Sequence, residues 1–285
     1  MPVYRRKRFG RSKAERRHDM MVNVAAVMVL LLLAASAYKT VTRRSVSAKL
    51  SDIAAFRAPA QAVMLLRDLA EADRTDFAEV LAVYLIDNAF FKKVGEPHSE
   101  AALEAAYIAK HGKLKSVYGE ETVAPYADLC RLLMEEIECF PVSGDGIMYG
   151  DSFGAAGRAG AYTGIDVYDK ERVPGRLRVM AMAKGTVREV GRNAQDGCFV
   201  VVESDAGTLY RYMHLAYVSA DVYAGGRVFA GMALGYMGDT GTNGQNDLFP
   251  VRLSVSVQVN HDLLGGQAYI NPYIFLSLVE NAEQR

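Results

Sequence analysis

The chain has 285 residues, 33 Lys+Arg against 33 Asp+Glu, three cysteines and no tryptophan. That length holds one large domain or two modest ones, and three cysteines exclude a disulfide framework, since at most one bridge can form. The zero net charge hides an asymmetry. Residues 1–49 hold 12 basic and 2 acidic residues, leaving 21 and 31 for the rest, so a head of charge +10 precedes a body of charge −10.

The basic head and the apolar run behind it read as a membrane-anchoring signal. Residues 1–19 carry Arg5, Arg6, Lys7, Arg8, Arg11, Lys13, Arg16 and Arg17 and are expected to be a cytoplasmic tail. Residues 20–38 are apolar except for Asn23 and Ser36, close to the roughly 20 residues that cross a hydrocarbon core as a helix. The positive-inside tendency then puts the N-terminus in the cytoplasm and residues 39–285 outside, as a single-pass protein of the cell membrane. The rival is a cleaved signal peptide and a secreted protein, because Ala35-Ser36-Ala37 fits the small-residue cleavage pattern. The long basic head and Tyr38, which extends the apolar run past that point, favour the uncleaved anchor. A charge run beside a membrane span sets topology or meets anionic lipid, so no nucleic-acid partner is expected. Residues 39–50 are polar and form a linker.

From 51 to 139 the pattern is helical. Within 75–91, Phe77, Val80, Leu81, Tyr84 and Leu85 recur at helical spacing, with Thr75 or Asp76 able to cap the start. A second helix is predicted over 99–110, opened by Ser99 and closed before Gly112, and a third over 125–138, with Leu129, Leu132, Leu133 and Ile137 on one side. Together these make a small helical segment with a solvated acidic face and no chemistry. His98 and His111 fall in polar, loop-like stretches and read as surface residues. Cys130, Cys139 and Cys198 lack metal-ligand spacing and read as small hydrophobes.

From about 140 to 285 the texture changes to short apolar runs punctuated by glycine: RVMAMA, CFVVVES, TLYRYMHL and RLSVSVQV. Such runs, spaced by Gly and Asn/Asp turns, predict an all-β domain, and an α+β chain overall. In RLSVSVQV, Leu253, Val255, Val257 and Val259 alternate with Arg252, Ser254, Ser256 and Gln258, so Arg252 and Ser254 share the polar face of a half-buried strand. No phosphate cradle is present: there is neither G-x-x-x-x-G-K-[ST] nor a strand–GxGxxG–helix unit.

Residues 147–276 resemble the M23 (LytM-type, lysostaphin-like) peptidase domain, whose members are zinc endopeptidases that cut peptidoglycan cross-links. Four stretches carry the likeness. YTGID at 162–166 is similar to the family's H-x-G-x-D, VMAMAKGTVREVG at 179–191 to its V-x-A-x-x-x-G-x-V, and YMHL at 212–215 to its Y-x-H-L. The last is AGGRVFAGMALGYMGDTG at 224–241, followed by FPVRLSVSV and INPYIFL, which resembles the family's glycine-rich run, then H-x-H-F-E-V, then N-P.

The resemblance implies zinc held at the positions of Tyr162, Asp166 and Ser254, with His214 and Arg252 at the two positions that serve the activated water and the transition state. Asp166 and His214 keep the family's residue type; Tyr162, Arg252 and Ser254 do not. A catalytic zinc takes three protein ligands and an open fourth position. Serine's neutral hydroxyl is a poor ligand, and tyrosine ligates as phenolate, with an ordinary pKa near 10. Arg252 puts a permanent cation where a dication belongs. His261, seven residues beyond Ser254, is more than about 20 Å away along a strand and cannot rescue the site.

The expectation is therefore a degenerate M23-like domain: His214 and Asp166 as remnants of a catalytic and a metal position, Tyr162, Tyr212, Arg252 and Ser254 lining a former-site groove, and an Arg252–Asp166 ion pair in place of the metal. No cofactor is expected, with zinc as the alternative if the domain is an active endopeptidase with an unusual metal site. Degenerate members of the family act as activators of wall hydrolases or as parts of assemblies between membranes. That implies a scaffold or regulator that binds peptidoglycan stem peptides or another envelope protein.

Overall fold

The computed structural model describes residues 28–29, 50–87, 118–157, 160–241 and 251–283. Apart from 28–29, the apolar run 20–38 lies outside these residues, as do the head 1–19, nearly all of the linker, and the helix predicted over 99–110. Among the described residues no helix is long and apolar enough to cross a membrane. Residues Val46–Arg285 form one compact unit, which holds every element named here.

Five helices are described: α1 (Leu50–Ala54), α2 (Ala60–Ala72), α3 (Phe77–Asp87), α4 (Glu120–Glu136) and α5 (Tyr273–Glu283). The helix predicted within 75–91 is α3 as far as Asp87, and residues 88–91 lie outside the described residues. Asp76 is its cap, accepting the Ala78 N–H at 2.9 Å and leaving its other oxygen to Arg131 of α4 at 2.6 Å. Helix α3 is buried on nearly every side, through Val80, Leu81, Val83, Leu85 and Ile86, as a helix apolar all round must be. The predicted third helix begins five residues earlier than expected, at Glu120.

One helix lies in the region expected to be helical without having been singled out, and another departs from the sequence expectation. Helix α2 buries Val63, Leu66 and Ala70 at helical spacing. Helix α5 corrects the all-β expectation for 140–285. The Asn271 side chain accepts the Tyr273 N–H at 3.0 Å and Pro272 follows it, the arrangement that starts a helix.

The strands are β1 (Val142–Ser143), β2 (Ile147–Tyr149), β3 (Ala156–Gly157), β4 (Gly160–Ala161), β5 (Gly164–Asp169), β6 (Arg178–Met180), β7 (Gly185–Asn193), β8 (Gly197–Ser204), β9 (Leu209–Val218), β10 (Arg227–Val228), β11 (Ala233–Met237), β12 (Arg252–His261) and β13 (Gly266–Ile270). All but β3 and β4, which pair with each other, join one antiparallel sheet whose main path runs β1-β6-β11-β9-β12-β5-β2. Strand β9 also pairs with β8, which continues to β7 and β10, and β13 pairs with β12.

RLSVSVQV differs from the half-exposed strand that its alternation predicts. It lies between β5 and β9, and Ser254 and Ser256 are buried along with Val255 between them. Its polar face looks into the protein.

The helical part does not stand apart from the sheet. One continuous core joins Phe56, Leu81, Leu85, Leu129 and Leu133 from the helices with Val167, Val202, Tyr212, Leu253 and Val257 from the strands. A polar tie crosses the same junction: Glu136, at the end of α4, accepts the Ser204 hydroxyl at 2.5 Å and the Tyr210 hydroxyl at 2.9 Å.

The turn leaving β5 is fixed by a buried carboxylate. Asp169 accepts the N–H groups of Glu171 and Val173 at 3.0 and 3.2 Å, and Arg176 bonds both its oxygens. Burial works to raise the Asp169 pKa, but these donors outweigh it and hold the group below the ordinary carboxylate value. Removing the cation leaves a buried, unpaired charge. We expect Arg176→Ala to destabilise the unit by on the order of 3 kcal/mol, read from urea midpoints, with Arg176→Lys recovering part of the loss.

Candidate functional site

The pairing of β5 with β12 sets Ser254 opposite Asp166 and Arg252 opposite Tyr168. Directly paired residues point to the same face of a sheet, and so do residues two apart along a strand. All four side chains therefore gather on one face. On the far edge of β12, β9 places Met213 opposite Ser254, and His214 is the next residue along.

His214 does not continue the regular strand. Its φ is 65°, a left-handed conformation uncommon for a residue with a side chain, and its N–H donates to the Asp196 carbonyl at 2.8 Å. The register slips on both neighbours here, between Cys198 and Val200 on β8 and between Tyr236 and Met237 on β11. Such a bulge re-aims a side chain, and this one delivers the His214 imidazole to Arg252.

Three hydroxyls hold the Asp166 carboxylate. Its Oδ1 accepts from Tyr162 at 2.5 Å and from Ser254, and its Oδ2 accepts from Tyr168 at 3.0 Å. Burial, and then the negative charge of Asp166, push the Tyr168 hydroxyl up to about 12. The same two causes push Tyr162 higher still. Both phenols are therefore neutral donors at ordinary pH.

The His214 tautomer is set by its partners. Nδ1 lies 2.8 Å from the Thr240 carbonyl oxygen, which can only accept, so Nδ1 carries the proton. Nε2 then offers its lone pair, and it accepts from Arg252 Nη2 at 3.1 Å. Burial first, and then the Arg252 charge, depress the His214 pKa below its ordinary value. The imidazole is thus held neutral.

The expected Arg252–Asp166 pair is present but long, 4.0 Å from Nε to Oδ1. The nearer contact of Arg252 is His214. The guanidinium bridges the two residues that keep the family's type.

These residues do not fit a catalytic zinc. Among the described residues no three His, Cys, Asp or Glu side chains gather, whereas such a site takes three protein ligands. The donor chemistry says the same. The Nε2 lone pair of His214 points at a permanent cation, Tyr162 is held as a phenol, and both carboxylate oxygens of Asp166 already accept hydroxyl protons. His261 has its own task, accepting the Leu263 N–H on Nδ1 at 3.2 Å.

Of the residues singled out in the sequence, Tyr162, Asp166, His214, Arg252 and Ser254 come together. Tyr212 does not line a groove. It is fully buried, and its hydroxyl accepts the Met182 N–H at 2.7 Å, so its position before His214 serves the core. The sequence pattern missed two residues. Tyr168 was legible, standing two places after Asp166 on the same face. Thr240 acts through its backbone oxygen, which no residue pattern reveals, while its hydroxyl accepts the Cys198 N–H at 2.8 Å and donates to the Leu215 oxygen at 2.7 Å.

This fold has relatives. Residues 160–262 match the model of Peptidase family M23, so the chain carries an M23 peptidase-family domain over that stretch. A crystal structure described as a glycyl-glycine endopeptidase, lytM, from Ruminococcus gnavus ATCC 29149 is similar over 83% of this chain and 92% of its own, with 24% identity and a TM-score of 0.59. The catalytic domain of the antimicrobial peptidase lysostaphin from Staphylococcus simulans is similar over 51% of this chain and 96% of its own, with 24% identity and a TM-score of 0.35. No curated protein sequence matches the chain.

The depressed pKa of His214 makes stability depend on pH. The unfolded histidine takes up a proton as pH falls through its ordinary value near 6.5, while the folded one resists. Stability is then complete above that pH and lost as pH falls toward the folded pKa. We expect urea midpoints to drop between pH 7.5 and 5.5 in the parent protein and to drop less in His214→Gln, which keeps a polar side chain without the titration.

Proposed function

We propose that this chain is a non-hydrolytic M23-fold protein, anchored in the cell membrane by residues 20–38 with its C-terminal domain outside, which holds peptidoglycan stem peptides or an envelope protein without cutting them. The observation that carries this is the Arg252 guanidinium, 3.1 Å from His214 Nε2 and 4.0 Å from Asp166 Oδ1. It meets both residues that keep the family's type, the metal position Asp166 and the catalytic position His214.

Hydrolysis by this fold depends on a metal to lower the pKa of water from its bulk value to near 7. Neither neutral His214, already bonded on both nitrogens, nor Asp166, already accepting three hydroxyls, is free to replace that effect as a general base. The positions that would assemble a reaction in a working relative here form a closed polar network. The acidic balance of the body argues against nucleic acid and against simple electrostatic adhesion to an anionic wall, which leaves shape and hydrogen bonding as the means of recognition.

The test is metal content and zinc affinity of the full chain purified in detergent, with cleavage of cross-linked muropeptides monitored in parallel. We expect no stoichiometric zinc, no zinc binding in the micromolar range and no cleavage. Stoichiometric zinc that disappears in His214→Ala, or cleavage abolished by a chelator, overturns the reading. A gain-of-metal variant probes the same geometry from the other side. The combined Tyr162→His, Arg252→His and Ser254→His variant removes the cation and supplies imidazoles around Asp166, and we expect it to acquire stoichiometric zinc.

A further inference from the structure

A cleft of about 380 Å³ lies where the helical segment meets the β domain, lined by Arg57, Ala58 and Pro59 from the loop between α1 and α2 and by Asp151, Phe153 and Tyr273 from the β domain. A volume of this order is at the small end of ligand sites. One cation and one anion line it, and the other side chains are aromatic or small and apolar. None of the residues of the Asp166 network takes part.

The two charges face the same space without meeting. Arg57 acts on the Asp151 carboxylate through its charge, but among the described residues no hydrogen bond or ion pair joins the two. Asp151 accepts the Phe153 N–H at 3.1 Å and the Asn271 amide at 2.9 Å, both on Oδ1, and no described residue donates to Oδ2. The half-buried Arg57 lies over Gly154, where a Cβ would stand 3.1 Å from Nη2. An arginine and a carboxylate bond best through two parallel contacts. Held apart within one cleft, they forgo those contacts and keep an open oxygen and open N–H donors.

One buried residue sets this separation. Asn271 is fully buried and bonds three parts of the wall. Its backbone N–H donates to the Ala54 carbonyl at 2.8 Å, and its side-chain amide donates to the Ala55 carbonyl at 2.8 Å and to Asp151 at 2.9 Å. Its side-chain oxygen accepts the Tyr273 N–H at 3.0 Å. The loop carrying Arg57, the Asp151 carboxylate and the start of the Tyr273 helix are therefore fixed by a single side chain. Phe56, packed edge-on against Phe275 with 5.2 Å between ring centres, pins the residue before Arg57, and Pro59 restricts the backbone after it. Walls ordered in advance lower the cost of binding a small ligand.

We propose that this cleft binds a free α-amino acid with an apolar side chain, its carboxylate on Arg57, its ammonium on Asp151 and its side chain against Phe153 and Tyr273. The paired charges select a zwitterion. A simple anion is repelled by Asp151 and a simple cation by Arg57, whereas a ligand with both charges satisfies both. The small volume selects a single amino acid, because each residue added to a peptide carries its terminal charges up to about 3.3–3.6 Å farther apart. The rings and small aliphatic groups of the wall offer a charged side chain no partner. The bound ligand bridges the helical segment and the β domain.

The experiment measures binding of L-leucine, N-acetyl-L-leucine and L-leucinamide to the full chain in detergent by calorimetry. Acetylation removes the ammonium and amidation removes the carboxylate. We expect leucine to bind at least about tenfold tighter than either derivative, as a charge-assisted bond provides. Asp151→Asn keeps an acceptor for Phe153 and Asn271 but loses the charge; it weakens leucine by a similar factor and leaves N-acetyl-leucine unaltered. Arg57→Gln likewise weakens leucine and leaves leucinamide unaltered. Urea midpoints at the parent value show that both variants fold. Equal affinity for the three compounds, unaltered leucine binding in either folded variant, or no binding of millimolar leucine overturns the proposal. Tighter binding of leucyl-leucine than of leucine overturns the assignment to a single amino acid, and tighter binding of glutamate overturns the assignment to an apolar side chain.

Discussion

The site depends on one constraint, the pairing of Ser254 with Asp166 across β5 and β12. A carboxylate set into the interior must find donors or be neutralised. Asp166 finds them locally. Ser254 faces it across the pair, Tyr168 is two residues along its own strand, and Tyr162 reaches it from the approach to β5. Each donor is placed by strand periodicity or register. A slip of one residue would turn Ser254 and Arg252 to the opposite face and leave the charge bare. The fold's register and the site's electrostatics are thus one specification.

His214 shows the second device. Regular alternation along β9 serves the core, with Tyr210 and Tyr212 both fully buried. The left-handed residue and the flanking register shifts break that rhythm for one position. Backbone of this kind persists where surrounding bonds over-determine it, and here the Asp196 carbonyl, the Thr240 carbonyl and Arg252 all hold the residue. The strain serves an orientation: Nδ1 toward a carbonyl, Nε2 toward a cation.

The β-rich half, the five side chains that meet at the site and the cap at Asp76 were legible in the sequence, because each is dictated by residue type at a fixed spacing. What depends on other elements was not. RLSVSVQV alternates like a half-exposed strand, yet β5 and β9 flank it and the serines are internal, since neighbours decide the environment of a face. Tyr212 stands two residues before His214 but supports Met182, because the bulge turns the two apart. The helical segment reads as a separate piece, and helix α3 looks self-sufficient in its pattern. Only in three dimensions does it share a core with the sheet, with Glu136 bonding Ser204 and Tyr210 across the join.

The residues at the three altered positions make sense together more than singly. Serine alone in place of a histidine would leave Asp166 with a donor but no compensating charge nearby. Arginine alone, beside a metal, would set two cations against each other at close range, where limited water screens them little. Tyrosine alone would bring a phenol that cannot ligate. As a set they satisfy one another. Two tyrosine hydroxyls and a serine hydroxyl solvate the carboxylate, the guanidinium balances its charge from 4.0 Å, and the neutral imidazole accepts an N–H from the arginine's Nη2 at 3.1 Å. A buried polar network rigidifies a site when each member has a partner.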